Sequence, residues 1–235
     1  FEFAHLDAQT ATRQAIEWLR GGEDGRPAFL WVHTVDPHAP YEPREPFRSR
    51  WAPGVPAGVG SFAHVRSLGG RPAAETAPFV PQYRALYDAE VAQNDAAFGE
   101  LLDALRATGR SDGACVVLAS DHGEGFWEHG VNGHGWNLFE EVLDVPLVVK
   151  PPHWRRGGKR LDHLVQHVDL APTLLRIAGL PPLGGAEARD LFDPDPRRLV
   201  FSEMLYEGRE GFAVRSGDLK LIEPSCEDSP LWATL

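Results

Sequence analysis

Apolar positions recur at a spacing of three to four in three stretches, and each predicts a helix facing a core. Leu6, Ala15, Ile16 and Leu19 mark one over 5–20, stopped by Gly21-Gly22. Leu86, Tyr87, Glu90, Val91, Asn94, Phe98, Leu101, Leu102 and Leu105 mark a longer one over 83–105, with Gly109 as its C-cap. A third runs over 169–178, with Asp169 as N-cap and Gly179 as stop, and a short one is expected over 137–143. Ala28–Val32, Gly113–Ser120 and Val145–Val149 are instead continuous apolar runs, the pattern of parallel strands covered on both faces. Shorter runs follow at 199–204, 211–215 and 219–222, the last two flanking the turn Ser216-Gly217-Asp218. The alternation predicts an α/β fold with a mainly parallel central sheet flanked by helices. Part of a small antiparallel C-terminal subdomain follows, with the division expected at 205/206. Residues 36–81, rich in Pro and Gly, read as one long loop.

Charge narrows the partners. The 235 residues carry a net charge of −11, which argues against a phosphate backbone as partner. A small anion stays open, because a metal or a few cations reverse the field inside one cleft. No apolar run reaches the roughly 18–20 residues of a membrane span. The two cysteines, Cys115 and Cys226, make neither a disulfide framework nor a Cys-type zinc site, and Cys115 reads as core. The chain begins at Phe1 without a targeting signal, so the natural N-terminus is expected upstream.

The chemistry concentrates in two segments. Ser120 to Gly135 holds Asp121, His122, Glu124, Glu128, His129 and His134 among five glycines between 123 and 135, just past the end of an expected strand. Open α/β sheets place their ligand crevices there. A carboxylate and a neutral imidazole side by side, as in Asp121-His122, can hold a divalent cation. A Gly-rich surface loop with a capping Asp is the competing reading. The second segment, Trp31 to Tyr41, contains His33, Asp36 and His38. A strand-to-loop run spreads such residues to different sides, which argues against one shared metal. His38, stiffened by Pro37 and Pro40, is placed to give a proton or hydrogen bond to a leaving group. Asp169 reads as a cap, Arg155-Arg156 with Lys159 and Arg160 as a solvated loop, and Glu140-Glu141 as helix surface with one able to face the site.

At these segments the sequence resembles the sulfatase family of the alkaline-phosphatase-like superfamily. The matching stretches are His33-x-x-Asp36-Pro37-His38-x-Pro40-Tyr41, Tyr87-Asp88-Ala89-Glu90-Val91, Ser120-Asp121-His122-Gly123-Glu124, Glu128-His129-Gly130, Gly133-His134-Gly135 and Val145-Pro146-Leu147. His167-Val168-Asp169-Leu170-Ala171-Pro172-Thr173-Leu174 and Gly179-Leu180-Pro181 follow, then Ala213-Val214-Arg215 and Lys220-Leu221-Ile222. They run in the family's order from about residue 29 to 222. The resemblance implies a large α/β domain with a small C-terminal antiparallel subdomain, and hydrolysis of small-molecule or glycan sulfate esters with Ca²⁺. Some members cleave phosphate or phosphonate esters with Mn²⁺ or similar ions. It implies Asp121 and His122 as late metal ligands, His134 as the group gripping the anion, and His38 as the contact to the ester oxygen. By family analogy alone the protein is periplasmic or secreted.

Two departures qualify this. Many sulfatases carry Asp-Asn where Asp121-His122 stands, so either the ion is a transition metal rather than Ca²⁺, or His122 touches the substrate's leaving oxygen. The family's formylglycine nucleophile lies in Cys/Ser-x-Pro-x-Arg, and neither that motif nor the two early aspartates occur in the 235 residues. The expectation is therefore a fragment of a metal-dependent sulfuric ester hydrolase, itself without turnover. A phosphodiester or phosphonate monoester hydrolase and a non-catalytic anion-binding relative are the alternatives.

Overall fold

The structure, a computed structural model, describes residues 7–22, 26–155, 158–181, 188–195 and 198–224. The chain forms two compact units, Phe1–Gly113 and Ala114–Leu235.

The regular elements of the first unit, among its described residues, are all helices. Helix α1, Ala8–Gly21, starts at Asp7, whose carboxylate accepts from the Thr10 N–H at 3.0 Å and so satisfies one of the unpaired donors of the first turn. Its buried face of Ala8, Ala11, Thr12, Ala15 and Leu19 packs on the longest helix of the unit. The expected long loop instead contains three short helices, α2 (Phe47–Trp51), α3 (Phe62–Leu68) and α4 (Ala73–Thr76). Each is too short for periodicity to reveal. Helix α5, Val80–Ala107, follows, and Gly109 takes the left-handed φ of +71° just beyond it. Its buried residues are Tyr83, Leu86, Ala89, Glu90, Gln93, Ala97 and Ala104, whereas Val91 from the expected face is 44% exposed. The stripe facing inward is narrower and more polar than a count of large apolar residues suggests. The run Ala28–Val32 is not a strand: Phe29 and Trp31 are 78% and 74% exposed, and no ladder partner pairs with it among the described residues.

In the second unit, β1 (Val116–Ala119) pairs with β4 (Leu147–Lys150). The pairing is antiparallel, Val116 opposite Lys150 and Ala119 opposite Leu147. Between them lie the two-residue strands β2 (Gly125–Phe126) and β3 (Asn132–Gly133) and the turn of helix α6 (Glu140–Leu143). A 3-10 turn, His167–Asp169, leads into α7, Leu170–Ile177. A three-stranded antiparallel sheet, β5 (Val200–Tyr206), β6 (Arg209–Ser216) and β7 (Leu219–Pro224), ends the unit. The expected β6–β7 turn is present, with Ser216 opposite Leu219 and Gly217 at φ +57°. Phe201, Phe212 and Leu221 project from the outer face and are exposed. Ala213 is buried on the inner face.

Every strand pairing among the described residues is antiparallel, so these pairings do not confirm the expected mainly parallel central sheet. An unbroken apolar run reports that a strand is apolar on both faces, not which way its neighbour runs. The cross-strand pair Leu118 and Val148 is 40% and 58% exposed.

Candidate functional site

Strand β1 delivers Ser120, Asp121 and His122 at its C-terminal end. The Ser120 hydroxyl donates to the His122 carbonyl at 2.7 Å, and the His122 N–H donates to Asp121 Oδ1 at 3.0 Å, so the turn is tied by its own side chains. Gly123 then passes against α6. Its N–H donates to the Val142 carbonyl at 2.8 Å, and a Cβ there would stand 2.2 Å from the Glu141 carbonyl oxygen. Only a glycine allows this approach.

The β2–β3 hairpin turns the chain back through Trp127 and Gly130, at φ +63° and +77°. Gly125 pairs with Gly133, so Glu124 and His134 face each other one step further along. His134 Nδ1 donates to Glu124 Oε1 at 3.0 Å, and the His134 ring lies on that of His122 with centroids 3.8 Å apart and planes 29° apart. The bond to Glu124 raises the His134 pKa above the ordinary imidazole value; burial opposes this, and the charges of Glu124 and Asp121 add to it. The result favours an imidazolium at the centre of the segment.

His122 Nδ1 donates to the Gly123 carbonyl at 2.9 Å. A carbonyl only accepts, so the neutral ring presents Nε2 as its lone pair. Nε2 lies 3.9 Å from Asp121 Oδ2, too far for a hydrogen bond. One cation with ligand distances of roughly 2.1–2.4 Å spans that gap. The backbone bond at the opposite nitrogen is the usual way a metal-binding imidazole is oriented. The pair thus fits two positions of a coordination shell, and only two: among the described residues no group of three or more His, Cys, Asp or Glu is arranged to hold a metal.

The neighbouring polar groups are engaged. His129 Nδ1 donates to Glu141 Oε1 at 2.8 Å, and its ring stacks on Phe139 with centroids 3.7 Å apart. Glu140 turns away to Arg215 and Lys220, at 2.9 and 2.6 Å. His167 Nε2 donates to the Ser120 carbonyl at 2.8 Å, which brings a third imidazole to the end of β1. Behind them Gly135 lies under the Tyr206 ring, where a Cβ would approach within 3.3 Å. Cys115 is a half-buried free thiol whose pKa burial pushes up, against the pull of Lys150; Cys226 and Arg156 lie outside the described residues.

Asp169 is structural, as the sequence suggests, but not as a cap of α7. Its fully buried carboxylate forms a double ion pair with Arg198 at 2.5 and 2.7 Å and accepts from the Gln166 and Arg189 N–H groups at 2.7 and 2.8 Å.

His38 belongs to the first unit. It is exposed, and its Nδ1 donates to the Ala39 carbonyl at 2.6 Å, which assigns the acceptor lone pair of the neutral ring to Nε2. The Asp36 carboxylate accepts from the Ala8 N–H at 3.0 Å and from Gln93 Nε2 at 3.1 Å.

The structure therefore brings Asp121, His122 and His134 together within the second unit. Sequence reasoning gave no part to Glu124 and His167. Glu124 meets His134 through strands too short to show a period. His167 reaches Ser120 across 47 positions, for which no local signal exists.

The sequence model of the family described as Sulfatase matches residues 4–180. The chain belongs to the sulfatase family. This sulfatase chain is 26% identical over 200 residues to the multifunctional alkaline phosphatase superfamily protein PehA of Trinickia caryophylli, covering 74% of this chain and 38% of the relative. It is 36% identical over 108 residues to arylsulfatase K of Danio rerio, covering 46% and 20%. It thus spans well under half the length of these relatives. A protein solved in complex with its substrate D-glucosamine-2-N,6-O-disulfate superimposes with a TM-score of 0.76 at 18% identity, over 94% of this chain and 61% of that one. The phosphonate monoester hydrolase of Agrobacterium radiobacter does so with a TM-score of 0.75 at 22% identity, over 92% and 52%. These two likenesses show that the sulfatase chain has the fold of its superfamily. Sulfatases generally bind a divalent metal. Among the described residues of this one, no helix is long and apolar enough to cross a membrane.

Proposed function

We propose that this chain is part of a metal-dependent hydrolase of sulfuric esters. The observation that carries the reading is the His122–His134 stack beside Asp121, with Glu124 behind His134. It combines a lone-pair donor, a carboxylate and an imidazole whose protonated form Glu124 favours, within residues 121–134.

Asp121 and His122 Nε2 hold the divalent cation, which when bound neutralises charge growing on the ester's non-bridging oxygens. His134, whose protonated form the bond to Glu124 favours, binds the anion. Its donor is already oriented before substrate arrives. His38, whose Nδ1 is taken by the Ala39 carbonyl, gives a hydrogen bond or proton to the leaving oxygen from Nε2 when its ring is protonated. The family's Cys/Ser-x-Pro-x-Arg does not occur in these 235 residues, so the chain by itself is without turnover. The substrate is a small-molecule or glycan sulfate ester.

The test uses the intact enzyme on aryl sulfates. His134→Ala lowers kcat/KM on the order of a hundredfold or more, as loss of one charge-stabilising donor does. Asp121→Ala abolishes Ca²⁺ or Mn²⁺ binding measured by calorimetry. Wild-type rates in both variants would overturn the assignment. A second reading, phosphonate monoester hydrolysis, is favoured by His122 in place of asparagine, since imidazole suits transition ions better than Ca²⁺. Faster turnover of an aryl phosphonate than of the matching sulfate, with Mn²⁺ preferred over Ca²⁺, decides for it. Binding of sulfate without turnover of either ester by the intact protein marks a non-catalytic relative.

A further inference from the structure

The segment 34–44 carries His38 and crosses α5 along the helix's buried polar stripe. Asn94 Nδ2 donates to Thr34 Oγ1 at 3.0 Å and to the Asp36 carbonyl at 2.8 Å. Gln93 Nε2 donates to Asp36 Oδ2 at 3.1 Å, while Gln93 Oε1 accepts from the Arg44 N–H at 2.9 Å. Glu90 Oε1 accepts from the Glu42 N–H at 2.6 Å. Side chains from one helix face thus grip the segment on both sides of His38, which itself stays exposed. Tyr41, between the grips, is buried edge-on against Tyr83 and Tyr87.

Glu90 is the unexpected member. It is 3% exposed, and its Oε2 is buried with no hydrogen-bond partner among the described residues. An ionised carboxylate so placed is costly; a neutral one is far less so. Burial foremost, then the charges of Asp36 and Glu42, push its pKa up to about 8, against the pull of the Glu42 N–H. At neutral pH it serves as an uncharged acceptor. A side chain that merely filled space here would be apolar. The His38 Nδ1 is held by the segment's own Ala39 carbonyl. The place of Nε2 is thereby tied to the place of the backbone.

We propose that Glu90, with Gln93, is a positioning residue that fixes the 34–44 segment so that His38 is presented at a set place and angle. The inference rests on the reading of His38 as the group that meets the leaving oxygen, and the experiment separates the two. Amide hydrogen exchange followed by mass spectrometry on this chain reads the grip directly. Glu90→Ala raises exchange over 37–44 about tenfold while α1 and the remainder of α5 stay near wild type, because only local opening is affected. Glu90→Gln keeps the Oε1 acceptor and restores protection. In the intact enzyme, Glu90→Ala lowers kcat about tenfold more for aryl sulfates with poor leaving groups than for good ones, with KM little changed, and Glu90→Gln recovers it. Unchanged exchange in Glu90→Ala overturns the proposal. So does loosening spread over all of α5, or a Glu90→Gln variant as loose as Glu90→Ala. If exchange behaves as expected but leaving-group preference is flat in both Glu90→Ala and His38→Ala, the grip stands and the role of His38 falls.

Discussion

Gly123 and Asp169 show how much of the second unit rests on single positions. A methyl group at 123 meets a backbone oxygen, the Glu141 carbonyl, which cannot swing aside as a side-chain tip can. Gly123→Ala is therefore expected to cost about 2–3 kcal/mol in urea unfolding of this chain, in the range of core overpacking. It is also expected to displace Asp121 and His122, and under the proposed metal role of that pair metal affinity falls with it. The Asp169–Arg198 pair is buried on both sides, and removing one partner strands the other charge. Arg198→Ala is expected to destabilise by about 3–5 kcal/mol, whereas replacing both residues with apolar ones of similar volume costs much less. Burial alone would raise the Asp169 pKa, yet the bonds from Arg198, Arg189 and Gln166 together hold it below the ordinary value of 3.8. Its contribution is complete above the unfolded value and is lost as pH falls through the lower folded one. Equilibrium unfolding between pH 2 and 5, wild type against Asp169→Asn, measures that loss. Asp169 was legible as structural from the sequence. Its real partner, 29 positions away, was not.

Helix α5 has two jobs on one face, and its pH response follows from the second. A carboxyl whose pKa stands near 8 in the fold and near 4.5 when unfolded holds a proton that the unfolded chain gives up. Stability from this group is fully present below the unfolded value and declines as pH rises through the folded one. The wild type is expected to lose up to roughly 4 kcal/mol between pH 5 and 8, at about 1.4 kcal/mol per pH unit. Glu90→Gln removes most of that slope, and parallel melting curves over this range test it. The helices α1, α5 and α7 and the β6–β7 hairpin were readable because each spans several periods or ends in a turn of known chemistry. The register of α5 was not, because beyond Tyr83 and Leu86 its buried stripe is made of Ala, Glu and Gln rather than of large apolar side chains. The short helices between Phe47 and Thr76 were hidden behind prolines and glycines that read as loop. The run at 28–32 had the composition of a strand, but a strand exists only by pairing.

For the whole molecule, the apolar surface left in view is the dominant property. Phe29 and Trp31 stand out from one unit, and Leu118, Val148, Phe201, Phe212 and Leu221 from the other. Exposed side chains of this size on open sheet faces favour association. This chain is expected to self-associate in the micromolar range, shown by a sedimentation coefficient that rises with concentration. A concentration-independent monomer with a sharp two-state melt would contradict this. The same exposure explains why direction of strand pairing was beyond the sequence: the runs are apolar enough for cover on both faces, and the cover is not among the described residues. The candidate site was more legible than the sheet. Asp121, His122 and His134 declared themselves by crowding and by motif. Glu124 needed the hairpin to be seen.

That hairpin sets a rule about length as well as composition. His122 and His134 meet because Gly125 and Gly133 are partners, and the side-chain direction along each strand inverts at every step. At the bend, Trp127 and Gly130 are set by their left-handed backbone, while Glu128 and His129 hold bonds of their own to Phe126 and Glu141. The count between the two histidines is fixed as well. Adding or deleting one residue would leave every chemical group of the segment in place and send the His134 ring to the far side of the ribbon, away from Asp121.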